Sequence, residues 1–116
     1  MTSTPIVNGR YASDTGEVDV SAIGARSAIG FTNSVRTNSR AFLLQTQVAS
    51  IGTSVVVRLE GSLDGTNFFS LGSDQTYSFN GYFAVTYLEL PVRFVRANLI
   101  TINAGSPMVT FTLGAF

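Results

Sequence analysis

Alternating apolar and mixed side chains in residues 54–71 constrain the fold of this chain more than any other stretch of its sequence. The alternation has the period of two that is typical of a β-strand whose two faces have different surroundings. It is interrupted at residues 64–67, Asp-Gly-Thr-Asn, and then resumes. Glycine tolerates a positive φ and Asp or Asn bonds to its own backbone, so the stretch is predicted to be a β-hairpin with Asp64 and Gly65 in its turn.

Strand patterns recur along the rest of the chain, and no helical period persists over ten positions. Asn80 and Gly81 form a pair that favours a two-residue type I′ turn, which predicts a second hairpin. About seven or eight short strands, spaced about 8 to 12 residues apart, indicate an all-β protein. The predicted fold is an antiparallel β-sandwich of jelly-roll type, with a closed barrel as the alternative. The further candidate strands lie at residues 29–35, 41–49, 75–79, 82–90, 93–102 and 108–113.

The first 26 residues differ from the rest, because Ser, Thr, Gly, Ala and Asp dominate and apolar residues are sparse. Such a segment buries too little apolar surface to order itself alone. Residues 1–26 are therefore predicted to form an extended N-terminal arm that lies along another surface, with one short strand allowed at its end, and residues 27–116 to form the sandwich. The predicted contact residues of the arm are Ile6, Val7, Tyr11, Val18 and Val20.

The charge balance and the missing residue types exclude several classes of function. Seven arginines balance seven carboxylates, and the chain contains no lysine, histidine or cysteine. Without a basic surplus, binding to nucleic acid by phosphate neutralisation is not expected. The sequence also predicts no membrane span, no disulfide and no zinc site, and folding in a reducing cytoplasm.

Few side chains are suited to chemistry, and the chain is interpreted as a non-enzyme without a cofactor. Glu60 and Glu89 are the one carboxylate pair to nominate for acid–base work, and solvated or salt-bridged roles are favoured for both. Asp64 and Asp74 flank the hairpin tip, where a calcium site is conceivable, but the spacing is not that of a calcium loop. The simpler role of Asp64 is to form the turn.

Binding roles remain open for one pair of arginines and for several aromatic residues. Arg93 and Arg96 lie on opposite faces of one predicted strand, where an arginine binds a carboxylate of a partner or pairs locally with Glu60 or Glu89. Most aromatic residues are expected in the core. Those left outside would form a platform for a sugar or a partner chain, and the candidates are Tyr77, Tyr82 and Tyr87.

Four segments in order, VVVRLEGSLDGTNFFSL, NGYFAV, PVRFVRANL and MVTFTLGAF, resemble a pattern of small tailed-phage virion proteins. The resemblance covers residues 54–116. The same segments are similar to discoidin-type jelly rolls and related carbohydrate-binding modules. Their frequent tryptophan is replaced here by Phe68, and their end-to-end disulfide cannot form without cysteine.

The first resemblance implies a structural protein of a phage particle, in particular a capsid decoration or cement protein on the capsid exterior. Its implied partners are the major capsid protein and copies of itself, with a homotrimer favoured, and its arm and Arg93 and Arg96 would make contacts. The second implies a carbohydrate-binding module of a tail fibre or adhesin. Another virion component, such as a tail or head-closure protein, is the third reading.

Overall fold

The computed structural model describes residues 19–88 and 90–116, and they form nine strands in two antiparallel sheets. Sheet I has the strand order β1-β9-β4-β7, and sheet II has the order β2-β8-β5-β6, with β3 also paired to β8. The strands are β1 (Asp19–Arg26), β2 (Gly30–Phe31), β3 (Val35–Arg36), β4 (Phe42–Ala49), β5 (Ser54–Ser62), β6 (Phe69–Tyr77), β7 (Gly81–Tyr87), β8 (Phe94–Asn103) and β9 (Met108–Ala115).

The strand order is that of a jelly roll once β2 and β3 are counted as two halves of one strand position, because both pair with β8. The chain then alternates between the sheets at every connection except the hairpin from β5 to β6. The predicted β-sandwich is therefore confirmed. Nine strands appear where about seven or eight were expected, since residues 32–34 split one position.

The core lies between the two sheets and follows the alternation seen in the sequence. In β8, for example, Val95, Ala97 and Leu99 are fully buried, whereas the residues between them face away from sheet I. Each buried aliphatic or aromatic side chain contributes about 1.5–3 kcal/mol of transfer free energy, so this layer dominates the stability. The largest fully buried side chains are Phe42, Phe111, Ile23, Leu44, Leu59, Leu99 and Leu113.

The predicted hairpin at Asn80 and Gly81 is wrong, because β6 and β7 belong to different sheets. Gly81 has a φ of 151°, and Asn80 is not among the described residues with positive φ, so the turn is not of type I′. The Asn80 side-chain oxygen instead accepts the backbone N–H of Ile51 at 2.9 Å. Tyr77 and Phe83 stack at 4.2 Å between ring centres, so the aromatic residues on either side join the two sheets.

The boundary of the predicted arm at residue 26 also needs correction. Residues 19–26 form a full edge strand, β1, paired with β9 from Asp19 to Arg26 with a bulge between Ala22 and Gly24. Ile23 in this strand is 1% exposed and belongs to the core. The sequence understated the strand because Ser, Ala and Gly fill most of its other positions. Four of the predicted arm contacts, Ile6, Val7, Tyr11 and Val18, lie outside the described residues.

Candidate functional site

The outer face of sheet II carries an arginine held between two aromatic rings. The guanidinium carbon of Arg96, on β8, lies 3.9 Å from the ring centre of Phe31 and 3.8 Å from that of Phe68. Phe31 comes from the edge strand β2 and Phe68 from the loop before β6. The two contacts therefore fix an edge strand and a loop on the same face, and each cation–π contact is worth about 0.5–2 kcal/mol.

Glu60 fixes the orientation of this arginine from the neighbouring strand β5. Arg96 Nε donates to Glu60 Oε1 at 2.8 Å, and Asn98 Nδ2 donates to Glu60 Oε2 at 3.0 Å. The Glu60 side chain is 8% exposed and that of Arg96 is 17% exposed. A carboxylate buried to this degree needs such partners, because an unpaired buried charge is costly. We call Phe31, Glu60, Phe68, Arg96 and Asn98 the arginine cluster.

A second ion pair extends the arginine cluster towards the sheet edge. Arg58 binds Asp74 through two bonds, Nε to Oδ1 at 2.8 Å and Nη2 to Oδ2 at 3.1 Å. The hydrogen bond from Arg58 lowers the pKa of the Asp74 carboxyl. Arg58 Nη1 also lies 3.9 Å from Glu60 Oε2. The two arginines, Arg58 and Arg96, thus share Glu60 in one cross-strand network.

Asp64 organises the loop that carries Phe68. Its Oδ1 accepts the backbone N–H groups of Thr66 and Asn67 at 2.9 and 2.8 Å and the hydroxyl of Ser62 at 2.9 Å. The backbone bonds from Asn67 and Thr66 hold the pKa of the Asp64 carboxyl well below its usual range. Gly65, with a φ of 80°, completes the loop of the β5–β6 hairpin. The carboxylate therefore serves the loop itself.

The structure separates the other predicted site residues. Arg93 precedes β8 and is exposed, and its backbone accepts from Thr37 and donates to Ser62, outside the arginine cluster. Tyr87 is 7% exposed, whereas Tyr82 is 69% exposed. Tyr77 stacks on Phe83, so the three tyrosines do not form one platform. Val20 is 70% exposed on β1, and Glu89 lies outside the described residues.

The outer face of sheet I contrasts with the arginine cluster, because within the described residues no charged side chain projects from it. Its four strands present small or neutral residues at every outward position of the registered pairs. Asp19 and Arg26, at the ends of β1, pair with inward-facing positions of β9. We call this surface the neutral face; its residues are Val20, Ala22, Ala25, Leu43, Gln45, Gln47, Ala49, Tyr82, Ala84, Thr86, Met108, Thr110, Thr112 and Gly114.

Sequence reasoning found Arg96, Glu60 and the Asp64 turn but did not assemble the arginine cluster or the neutral face. Phe31 lies in a strand of two residues, and Phe68 lies in a loop, so no periodic pattern marks either. The alternation in β4 and β9 is visible in the sequence, and their outward positions are uncharged. What the sequence did not show is that β4 and β9 are neighbours, which places those residues on one surface.

The fold and its surfaces define a small jelly-roll sandwich with one charged face and one neutral face. No family model and no curated protein matches the chain. Among solved structures it is similar to the SPBc2 prophage-derived protein YomS, with a TM-score of 0.58 and 12% identity over 85% of this chain and 96% of that one. At this identity the likeness shows a shared fold.

Neither a membrane-crossing helix nor a metal cluster is found in the part of the chain that the structure describes. No helix there is long and apolar enough to span a bilayer. No group of three or more candidate metal-binding side chains comes together in residues 19–88 and 90–116. Asp64 and Asp74 are each engaged with protein partners, in the loop and with Arg58.

Proposed function

We propose that this chain is a structural protein of a phage particle, and specifically a capsid decoration protein that binds the outside of the head lattice as a symmetric homo-oligomer. It acts by burying surface between subunits and performs no catalysis. The neutral face is the observation that carries the proposal. The fold shared with a prophage-derived protein agrees with a phage origin.

The composition of the neutral face suits a protein interface. Centres of interfaces are depleted in charged residues and enriched in aromatic residues and Met, because desolvating a charge is costly. Here Tyr82 and Met108 are 69% and 46% exposed among threonines, glutamines and alanines. A partner covering this face would desolvate no ionised group. The proposed partner is the major capsid protein, which places the chain on the capsid exterior.

The size of the neutral face indicates that further contacts are needed. Four strands of about seven residues project roughly 19 by 24 Å, or about 450 Å², from standard strand spacing and rise. A stable interface buries about 800 Å² on each partner. We assign the remaining contact to the segment before β1, through Ile6, Val7, Tyr11 and Val18, because this segment enters the fold at an edge of sheet I.

The carbohydrate-binding alternative receives less support from the geometry. Tyr77, Tyr82 and Tyr87 do not form one exposed surface. The ring of Phe68, at the hairpin loop, is covered by the guanidinium of Arg96. The guanidinium that would bind a sugar carboxylate is covered by a ring on each side and is 17% exposed. Within residues 19–88 and 90–116 the neutral face carries no charged side chain, which favours a protein partner.

Purified particles of the phage that encodes the chain test the proposal. Mass spectrometry should find the chain in the particles, and particles made without the gene should bind the purified protein when it is added back. Gln45→Glu introduces a charge at the centre of the neutral face and should weaken this binding about tenfold or more. Thr76→Glu places the same charge on an exposed strand residue of sheet II and should leave binding unchanged.

Two results would overturn the proposal. One is absence of the chain from particles together with no binding on addition. The other is equal binding by the Gln45→Glu and Thr76→Glu variants, which would show that the neutral face makes no contact.

A further inference from the structure

The two sheets have four edge strands, and three of them carry features that block pairing with another strand. Exposed edges are usually protected by bulges, charges or very short strands, because their free N–H and C=O groups accept any partner strand. The edge strand β1 has a bulge and a charged residue at each end. The β2–β3 position is split into two strands of two residues, and β3 contains Arg36.

The edge strand β6 is protected by a register shift opposite Arg58. Residues 72–74 lie between the pairs Leu59–Leu71 and Val57–Gln75, and Gly72 has a φ of 74°. The shift bends the strand, and Asp74 adds a charge that is bound to Arg58. Another strand would meet an irregular, charged edge here.

The edge strand β7 has none of these features. Its seven residues, Gly81–Tyr87, contain no charge and no proline, and they pair with β4 in unbroken register. Among the described strands β4 is its one ladder partner. Exposed apolar side chains lie along and beside it, with Phe79 75%, Tyr82 69% and Leu88 62% exposed. An edge strand with no bulge, charge or proline and with exposed apolar side chains beside it marks an interaction site.

We propose that β7 pairs antiparallel with β7 of a second copy of this chain across a two-fold axis, which joins the two copies of sheet I into one eight-stranded sheet. The charge pattern identifies the occupant. A two-fold contact places the residue on the axis opposite its own symmetry mate, so a charged side chain at that position would meet a like charge. β7 and the neutral face beside it avoid this repulsion.

The sequence of β7 also fits pairing with itself. With Ala84 on the axis, Ala84 faces Ala84 of the second copy, Phe83 faces Val85, and Tyr82 faces Thr86. The small alanine permits close approach of the backbones at the axis. The other two pairs place an aromatic residue opposite a β-branched one, a combination that stabilises cross-strand pairing. Each of these pairs occurs twice by symmetry.

Analytical ultracentrifugation of the full chain over a range of concentrations tests the pairing. The wild-type protein should reach about twice the monomer mass of 12.3 kDa. Ala84→Lys should weaken the dimer about tenfold or more, because two ammonium groups then face each other across the axis. Gln45→Lys is the matched control, since Gln45 is the direct partner of Ala84 in β4 and lies on the same face one strand further from the axis.

A mixture of two variants makes the test specific for the two-fold register. Ala84→Lys and Ala84→Glu should each be monomeric, and mixing them should restore a dimer through opposite charges at the axis. Circular dichroism of each variant should match the wild type, because Ala84 is exposed. A monomeric wild type, a dimer indifferent to Ala84→Lys, or a mixture that stays monomeric would overturn the proposal.

The β7 pairing does not depend on the proposed role in the particle. Ultracentrifugation tests the pairing and particle binding tests the role, so either proposal can be refuted without the other. Ala84 also belongs to the neutral face, so Ala84→Lys tests the edge by the mass of the purified chain without particles, whereas Gln45→Glu tests the neutral face by binding to particles. The homotrimer favoured by the sequence resemblance is distinguished by the same measurement. A stable mass of about three times 12.3 kDa that Ala84→Lys does not change would support the trimer and overturn the two-fold pair.

Discussion

At the scale of single residues, the pairing of Arg96 with Glu60 is the contact on which the charged face depends. Glu60 is 6% exposed and lies on β5, a central strand of sheet II, so its charge relies on protein partners. Arg96 supplies a direct hydrogen bond and is itself held by Phe31 and Phe68. Loss of Arg96 leaves the buried Glu60 carboxylate with Asn98 and a longer contact to Arg58, and loss of Glu60 leaves Arg96 without its carboxylate.

We therefore predict that Arg96→Met lowers the free energy of unfolding by about 3 kcal/mol or more, measured by urea denaturation at neutral pH. Glu60→Leu combined with Arg96→Met should be more stable than Arg96→Met alone, because the buried carboxylate that has lost its hydrogen bond from Arg96 is removed as well. Arg93→Met is the control, since Arg93 is exposed and should change the free energy by about 0.5 kcal/mol or less. Similar losses for Arg93→Met and Arg96→Met would contradict the assigned role.

At the scale of elements, the sequence predicted those strands in which local pattern and final surroundings agree. Alternation in the sequence matches the buried and less buried faces of β4, of residues 55–59 in β5, of residues 94–99 in β8 and of residues 108–113 in β9. β1 was reduced to one short strand because small and polar residues surround its buried Ile23. Its order comes from pairing with β9, which lies far away in the sequence.

The connection from β6 to β7 shows a different limit of sequence reasoning. Asn80 and Gly81 signal a reversal of the chain, but turn chemistry does not specify whether the two strands that follow and precede it share a sheet. Here the chain crosses between sheets, because Tyr77 and Phe83 are both directed into the core and stack there. The stacking of Tyr77 on Phe83 depends on how the two sheets pack, and the local sequence pattern does not contain this information.

Two connections between the sheets, from β4 to β5 and from β8 to β9, pack closely against one another. A Cβ added to Gly52, between β4 and β5, would overlap the carbonyl oxygen of Ala104, between β8 and β9. A Cβ at Gly81 would meet nothing nearer than 3.8 Å, from the ring of Phe83. Gly52 therefore allows two backbones to approach closely, whereas Gly81 allows a φ of 151°.

We predict that Gly52→Ala lowers the free energy of unfolding by about 1–3 kcal/mol, since backbone atoms at the neighbouring corner must move. Gly81→Ala should cost about 1 kcal/mol from backbone strain alone. Urea denaturation of both variants gives the comparison. If Gly52→Ala were less destabilising than Gly81→Ala, the close contact between the two corners would be refuted.

At the scale of the whole molecule, the separation of charge between the two sheets emerges from the strand order. Arg58, Glu60, Asp74 and Arg96 are scattered over three strands in the sequence, and sheet II places them together. Sheet I draws its strands from the two ends and the middle of the chain, where the outward residues are neutral. Neither surface can be deduced until the neighbours of each strand are known.

The position of β1 within sheet I leads to the last prediction, which concerns the N-terminal part of the chain. Deleting residues 1–18 should leave the circular dichroism of a β-protein and a cooperative unfolding transition, because β1 and its buried Ile23 are retained. Deleting residues 1–26 should abolish cooperative folding or cause aggregation. It removes an edge strand and Ile23, whose loss alone costs about 2–5 kcal/mol, from a domain with about 5–15 kcal/mol in total.

The same pair of deletions separates folding from assembly. If residues 1–18 carry contacts to a partner, their removal should reduce binding to phage particles while the melting temperature of the isolated protein changes little. Unfolding of the chain on deletion of residues 1–18 would show that the sandwich is incomplete from Asp19 onward. Stable folding without residues 1–26 would show that β1 is dispensable and that the arm extends through it, as the composition of this segment first indicated.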